Sequence, residues 1–190
     1  SLIMQAAPRS MPSGSSARLP SASLTWKYSP KTPSLKLENF QPDDIARIAR
    51  ADVIASVQPR HITLDPGGPE RDLGPERVPY MWPFRTLLDS GATLAFGTDS
   101  PVTDIDPIDA VYTAVTRRDA DTHEPLGGWL PEERITLAEA LRADELGQLA
   151  PGMFADIVVL DPNPFELAPD DLQQAKVQAT YVAGKKVYER

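Results

Sequence analysis

Asp99 is the side chain whose surroundings most favour chemistry. It lies in a turn over residues 97–100, directly after the apolar run 93–96. In parallel α/β folds, such strand ends are where sites are built. A carboxylate there can ligate a metal ion, or take a proton from a metal-bound water and pass it to a leaving amine. The local alternative is a turn aspartate that bonds to its own backbone.

His61 and Arg60 follow the other apolar run, residues 53–57. His61 could point toward the same strand-end site as Asp99. The alternative is that His61 is a loop histidine that only forms hydrogen bonds. Arg60 could pair with an anionic group of a substrate, and a solvated surface arginine is the alternative. Both residues are therefore candidates for substrate binding.

The sequence contains few of the side chains that usually ligate transition metals. The chain has two histidines and no cysteine, whereas a binuclear site built on imidazoles needs more. The second histidine, His123, stands among acidic residues of a predicted solvated loop. Trp82 and Trp129 are interpreted as packing or loop anchors.

Helices and strands alternate from Glu38 onward, which predicts the α/β class. Strands are expected over 53–57 and 93–96, with long loops over 65–79 and 117–131. The expected helices begin at Pro42, cover 81–91, begin at Asp106-Pro107, and follow a capping box formed by Thr136 and Glu139. These elements would position the candidate residues at strand ends.

A small β unit is predicted after Pro151. Strands are expected over 155–160 and 177–182, and residues 186–188 would complete a hairpin. The predicted organisation is therefore an arm over 1–37, an α/β part over 38–143 and β strands over 144–190.

Residues 1–37 differ from the rest, because all 27 acidic residues of the chain follow Leu37. The segment is basic, rich in serine and proline, and without a helical or strand period. We interpret it as a poorly ordered arm. The alternatives are a basic functional tail, or a natural reading frame that begins only near Glu38.

The composition limits the partners and the location. A net charge of -8 argues against nucleic acid and anionic membranes as partners. No apolar run approaches the length of a membrane span, and the first residues lack the order of a signal peptide. The absence of cysteine fits a reducing compartment, so a cytoplasmic protein is expected.

Several stretches together resemble the amidohydrolase superfamily, in the branch of the N-substituted formamide deformylase-like enzymes. Their order and spacing, over roughly residues 38–190, make the resemblance specific. They are Val-Ile-Ala-Ser-Val-Gln-Pro-Arg-His at 53–61, Leu-Asp-Ser-Gly-Ala at 88–92, Phe-Gly-Thr-Asp-Ser-Pro-Val at 96–102, and the segments 147–161 and 182–188.

The resemblance implies a metal-dependent hydrolase of amide-like C–N bonds that uses water activated by a divalent metal, with zinc expected. It implies a (β/α)8 barrel with a small β-sandwich, of which this chain would supply the last two barrel strands and the C-terminal sandwich strands. Asp99 matches the family's metal-binding and proton-shuttling aspartate. His61 matches a position where substrate contact is expected.

The sequence also departs from the family pattern. The early His-x-His pair, the bridging lysine or acid and the histidines of the fifth and sixth strands have no counterpart. Between Ala143 and Asp144 the family has about a dozen more residues, which are either deleted from the molecule or absent from the sequence as given. A single aspartate cannot hold a divalent cation tightly. The alternative is therefore a catalytically inactive remnant that persists as a homo-oligomer through its open strand edges.

Overall fold

The computed structural model describes residues 2–6, 34–36, 38–51, 53–144, 146–147 and 155–190. The strands are β1 (Leu2–Ala6), β2 (Ser34–Lys36), β3 (Ile54–Val57), β4 (Thr93–Phe96), β5 (Leu146–Gly147), β6 (Ile157–Asp161), β7 (Lys176–Val182) and β8 (Lys185–Glu189). The α-helices are α1 (Pro42–Arg50), α2 (Gly68–Leu73), α3 (Phe84–Asp89), α4 (Pro107–Thr116) and α5 (Leu137–Ala143). The predicted α/β class is confirmed.

One sheet is parallel, with the strand order β2-β3-β4. Ile54 pairs with Thr93 and Val57 pairs with Phe96, so β3 and β4 run in register over their whole length. In β3, Ile54, Ala55 and Val57 are buried. A short continuous apolar run is typical of a strand whose two faces are both covered, as the sequence predicts here.

Helices α1 and α4 begin where the sequence predicts. Pro42 is the first residue of α1, and Ile45 and Ile48 form its buried stripe. The Asp106 side chain caps α4 by accepting from the Ile108 amide. Helix α4 is buried on more sides than the predicted single apolar face, because residues such as Ala110, Thr113 and Ala114 are covered as well.

The predicted loop over 65–79 contains a short helix, which the sequence interpretation missed. Gly67 and Gly74, both with positive φ, flank α2. A turn of 3-10 helix then covers Val78–Tyr80. The glycines and prolines that suggested a loop lie at the ends of these elements, where they start and stop helices.

The capping box before α5 is present as predicted. The Thr136 hydroxyl accepts from the Glu139 amide, and the Glu139 carboxylate accepts from the Thr136 amide. The helix ends at Ala143, and the short strand β5 follows. Residues 148–154, which belong to the stretches that carry the family resemblance, lie outside the described residues.

The second sheet is antiparallel, with the order β5-β1-β6-β7-β8. The predicted hairpin joins β7 and β8, where Val182 pairs with Lys185. Two segments of the predicted arm form strands: β1 pairs with β6, and β2 pairs in parallel with β3. The sequence showed no strand period there, and the remainder of 1–37 lies outside the described residues.

The main apolar core packs α1, α3, α4 and α5 against the parallel sheet, and Phe84, Leu87 and Val57 are among its fully buried members. A smaller cluster of Tyr112, Ala120 and Leu172 joins α4 to the connection between β6 and β7. Among the described residues, no helix has the length and apolarity needed to cross a bilayer.

Candidate functional site at the ends of the parallel strands

Polar side chains follow the carboxyl ends of all three parallel strands. Glu38 follows β2, Gln58 and His61 follow β3, and Asp99 follows β4. Because the strands are parallel neighbours, their carboxyl ends lie along one edge of the sheet. The candidate site is this edge.

Asp99 lies on the surface of the site. It is exposed and adopts a left-handed backbone conformation, with φ of 55°. The neighbouring Thr98 holds the turn: its carbonyl accepts from the Thr103 hydroxyl at 2.6 Å, and its hydroxyl accepts from the Ser100 amide at 3.3 Å. This turn places Asp99 at the exposed end of the strand.

His61 is held by Glu38. The ring Nδ1 lies 2.7 Å from Glu38 Oε1, and 9% of the histidine side chain is exposed. An ionised carboxylate only accepts hydrogen bonds, so Nδ1 donates and carries a proton. The other nitrogen, Nε2, is buried and has no hydrogen-bond partner in the described part of the chain.

Arg60 is buried rather than solvated, so the surface interpretation is wrong. Its guanidinium donates to Asp109 and to Asp121, both at 2.8 Å, and 9% of its side chain is exposed. Asp109 also accepts from Gln173 at 2.7 Å. Arg60 thereby ties the turn that carries His61 to α4 and to the segment before β7. A substrate-binding role for Arg60 stays a prediction.

His123 is half-buried, and the solvated-loop interpretation does not describe its ring. The ring lies 5.2 Å from that of Tyr112. The His123 carbonyl accepts from Arg118 Nε at 2.6 Å. His123 therefore packs against α4.

Arg117 is a buried residue that the sequence interpretation missed. It sits at the end of α4, inside a loop that the sequence marked only as polar, and it is fully buried. It donates to the carbonyls of Trp129 at 3.0 Å and Trp82 at 2.9 Å. Its guanidinium lies over the rings of Phe84 and Trp129. Burial lowers the pKa of Arg117 to about 10, so it stays protonated at neutral pH.

A series of hydrogen bonds leads from this arginine to the candidate site. Arg117 donates to the Trp82 carbonyl, and the Trp82 amide donates to the Glu38 carbonyl at 2.7 Å. Glu38 in turn holds His61. Trp82 and Trp129 pack edge to face, with ring centroids 6.0 Å apart, as expected of packing anchors.

The described residues do not fit a divalent metal site on their own. They contain no group of three or more histidine, cysteine, aspartate or glutamate side chains that could hold an ion. Glu38 and one nitrogen of His61 are engaged with each other, and such ions want four or more ligands.

A sequence model described as the amidohydrolase family matches residues 31–188. The chain belongs to the amidohydrolase family. This confirms the family that the motifs around His61 and Asp99 predict.

Individual relatives agree with the family. Protein LONG AFTER FAR-RED 3 of Arabidopsis thaliana is 36% identical over 164 residues, covering 80% of this chain and 27% of the relative. N-substituted formamide deformylase of Arthrobacter pascens is 32% identical over 122 residues, covering 58% and 22%. An uncharacterized metal-dependent hydrolase of Pyrococcus furiosus superposes with a TM-score of 0.55 at 29% identity, covering 68% and 28%.

The chain spans about a quarter of the length of these two curated relatives. The match spans 27% of the plant relative and 22% of the deformylase. Most of the length of each relative therefore has no counterpart in this chain.

Proposed function

We propose that this chain is the C-terminal part of a metal-dependent amidohydrolase that cleaves a C–N bond of an amide-like substrate. The observation that carries the proposal is Asp99, which follows β4 of a parallel sheet in a chain of this family. The similarity to N-substituted formamide deformylase supports a formamide or a related amide as the substrate class.

The two sheets would have separate places in the whole enzyme. The three parallel strands would be consecutive strands of a (β/α)8 barrel, and the five-stranded antiparallel sheet would be its β-sandwich. The parallel order β2-β3-β4, with helices packed against it, supports the first assignment. The hairpin β7–β8 beside β6 supports the second.

Asp99 would move the proton of the reaction. Its carboxylate would take a proton from the attacking water as the C–O bond forms, and would give that proton to the amine as the C–N bond breaks. The exposed position of Asp99 at the sheet edge allows contact with a substrate bound there. The ion that such hydrolases require would take its other ligands from outside the described residues.

A graft tests this proposal. The matching segment of N-substituted formamide deformylase is replaced by residues 38–190 of this chain, and hydrolysis of an N-substituted formamide is compared between the graft and its Asp99→Asn version. We expect the substitution to lower kcat at least about 100-fold, as is typical for loss of a general acid–base group. Asp104→Asn, at another exposed aspartate that follows β4, is the matched control and should retain activity.

Two results would contradict the proposal. One is equal hydrolysis by the graft and its Asp99→Asn version. The other is a folded graft that binds as much metal as its host but hydrolyses no formamide.

The second candidate is an inactive remnant that persists as a homo-oligomer. It is favoured by the lack, among the described residues, of a side-chain group that could hold a metal. Purified chain that is oligomeric in light scattering and hydrolyses no amide, even with added zinc, would support it. A strictly monomeric, folded species would count against it.

A further inference from the structure

Two buried hydrogen-bond acceptors follow β3. In the described part of the chain, His61 Nε2 and Gln58 Oε1 have no partner. Gln58 is 4% exposed and the His61 side chain is 9% exposed. Leaving a buried acceptor unpaired is unfavourable, so each of the two atoms favours a group that supplies a donor.

The Glu38 carboxylate determines which hydrogen bond the His61 ring can form with a ligand. Because its carboxylate accepts from Nδ1, the neutral ring carries its proton on Nδ1 and leaves the lone pair on Nε2. Without Glu38, either ring nitrogen could carry the proton. The carboxylate thus fixes both the orientation of the ring and the kind of hydrogen bond that Nε2 can form.

The Gln58 amide lies beside the end of β4. A side chain at Gly97 would lie 3.7 Å from Gln58 Nε2, and the Gly97 amide donates to the Val57 carbonyl. Gly97 is two residues before Asp99. Gln58 therefore lies close to the Asp99 turn, and His61 follows the neighbouring strand β3 three residues after Gln58.

We propose that Glu38 is a positioning residue that holds His61 with Nε2 as an acceptor, and that Nε2 receives an N–H donor of the substrate, with Gln58 Oε1 as a second acceptor after the same strand. This rests on the proposed function, since it assigns part of the same site. It restricts the substrate to amides that carry a hydrogen on nitrogen.

The tautomer of His61 can be measured without any catalysis. With two histidines in the chain, two-bond ¹H–¹⁵N correlations resolve both rings, and His61→Gln assigns them. We expect the proton of the neutral His61 ring on Nδ1. Glu38→Ala should convert it to a mixture of tautomers, whereas Glu76→Ala, at an exposed loop carboxylate, should leave it unchanged. A native ring protonated on Nε2, or an unchanged tautomer in Glu38→Ala, would overturn the proposal.

Two small amides that differ in their N–H group test whether His61 Nε2 accepts a hydrogen bond from such a group. N-methylformamide has an N–H group and N,N-dimethylformamide does not. The Nε2 resonance of the native chain should shift on titration with the first and stay in place with the second. Equal shifts, no shift with either, or a shift with zinc alone would each reject an N–H subsite.

The tests of the N–H subsite can fail or succeed independently of the graft experiment that tests the proposed function. The tautomer and the titration need no hydrolysis and do not involve Asp99. A graft in which Asp99→Asn hydrolyses normally would remove the proposed function even if the His61 results are as expected. The reverse combination would remove only the N–H subsite.

Discussion

At the residue scale, the buried cations of this chain differ in how they are compensated. Arg60 meets two carboxylates, whereas Arg117 meets two carbonyls and two aromatic rings. A guanidinium suits the second environment because it is planar, stacks on rings and donates in fixed directions. A lysine could reproduce the charge but not this geometry.

We therefore predict that Arg117→Lys lowers the free energy of unfolding by about 2–3 kcal/mol. Urea unfolding at pH 7 measures the change. Arg47→Lys, on the exposed face of α1, is the control and should leave the free energy of unfolding unchanged. An unchanged value for Arg117→Lys would mean that the carbonyl and ring contacts contribute nothing to stability.

The carboxyl group of Asp119 should make the stability of the fold depend on pH. Burial raises the pKa of its carboxyl, but hydrogen bonds from the Thr122 backbone, the Thr63 hydroxyl and the Asp121 backbone outweigh it and hold the pKa below its ordinary value. A carboxyl with a lowered pKa in the folded state adds stability above the ordinary aspartate pKa of about 4, and this is lost as the pH falls through the lowered pKa.

Asp119→Asn should accordingly be less stable than the native chain at pH 7, and the difference should shrink as the pH falls below about 4. Urea midpoints across that pH range measure it. A difference that stays constant with pH would contradict the role of the charge.

At the element scale, Arg60 joins three segments: the 3-10 turn that carries His61, helix α4 and the loop that follows α4. We predict that Arg60→Gln destabilises the fold by about 2 kcal/mol, because it leaves the partly buried Asp109 without its cation. Chemical denaturation measures the effect. Arg71→Gln removes an exposed arginine with two carboxylate partners and should have no measurable effect. Equal effects of both substitutions would refute the bridging role.

Local signals predicted most of the elements. Pro42, the Asp106 cap and the Thr136–Glu139 capping box act over a few residues, and the structure has helices at each. The strand β1 could not be found this way. It is defined by its pairing with β6, more than 150 residues later in the chain, and its short run has no periodicity of its own.

The candidate site was predictable only in part for the same reason. Asp99 and His61 follow apolar runs that the sequence identifies as strands. Glu38 follows β2, a three-residue strand that is defined by its pairing with β3. Its contact with His61 therefore has no local sequence signal. Arg117 was missed because burial of an arginine depends on tertiary contacts with Trp82 and Trp129.

At the scale of the whole molecule, strand β3 of the parallel sheet and strand β8 of the antiparallel sheet differ in how far they are covered. The parallel sheet carries the main core, whereas every residue of β8 is exposed, including Val187 and Tyr188. Apolar surface of this kind is typical of a contact with another part of a protein.

Metal content measured together with solution mass tests the central claim, which is that the chain holds part of an amidohydrolase site and needs ligands from elsewhere. After incubation with zinc and dialysis, the account predicts much less than one zinc per chain, and the same amount in Asp99→Asn. One tightly held zinc per monomeric chain, lost in Asp99→Asn, would contradict it.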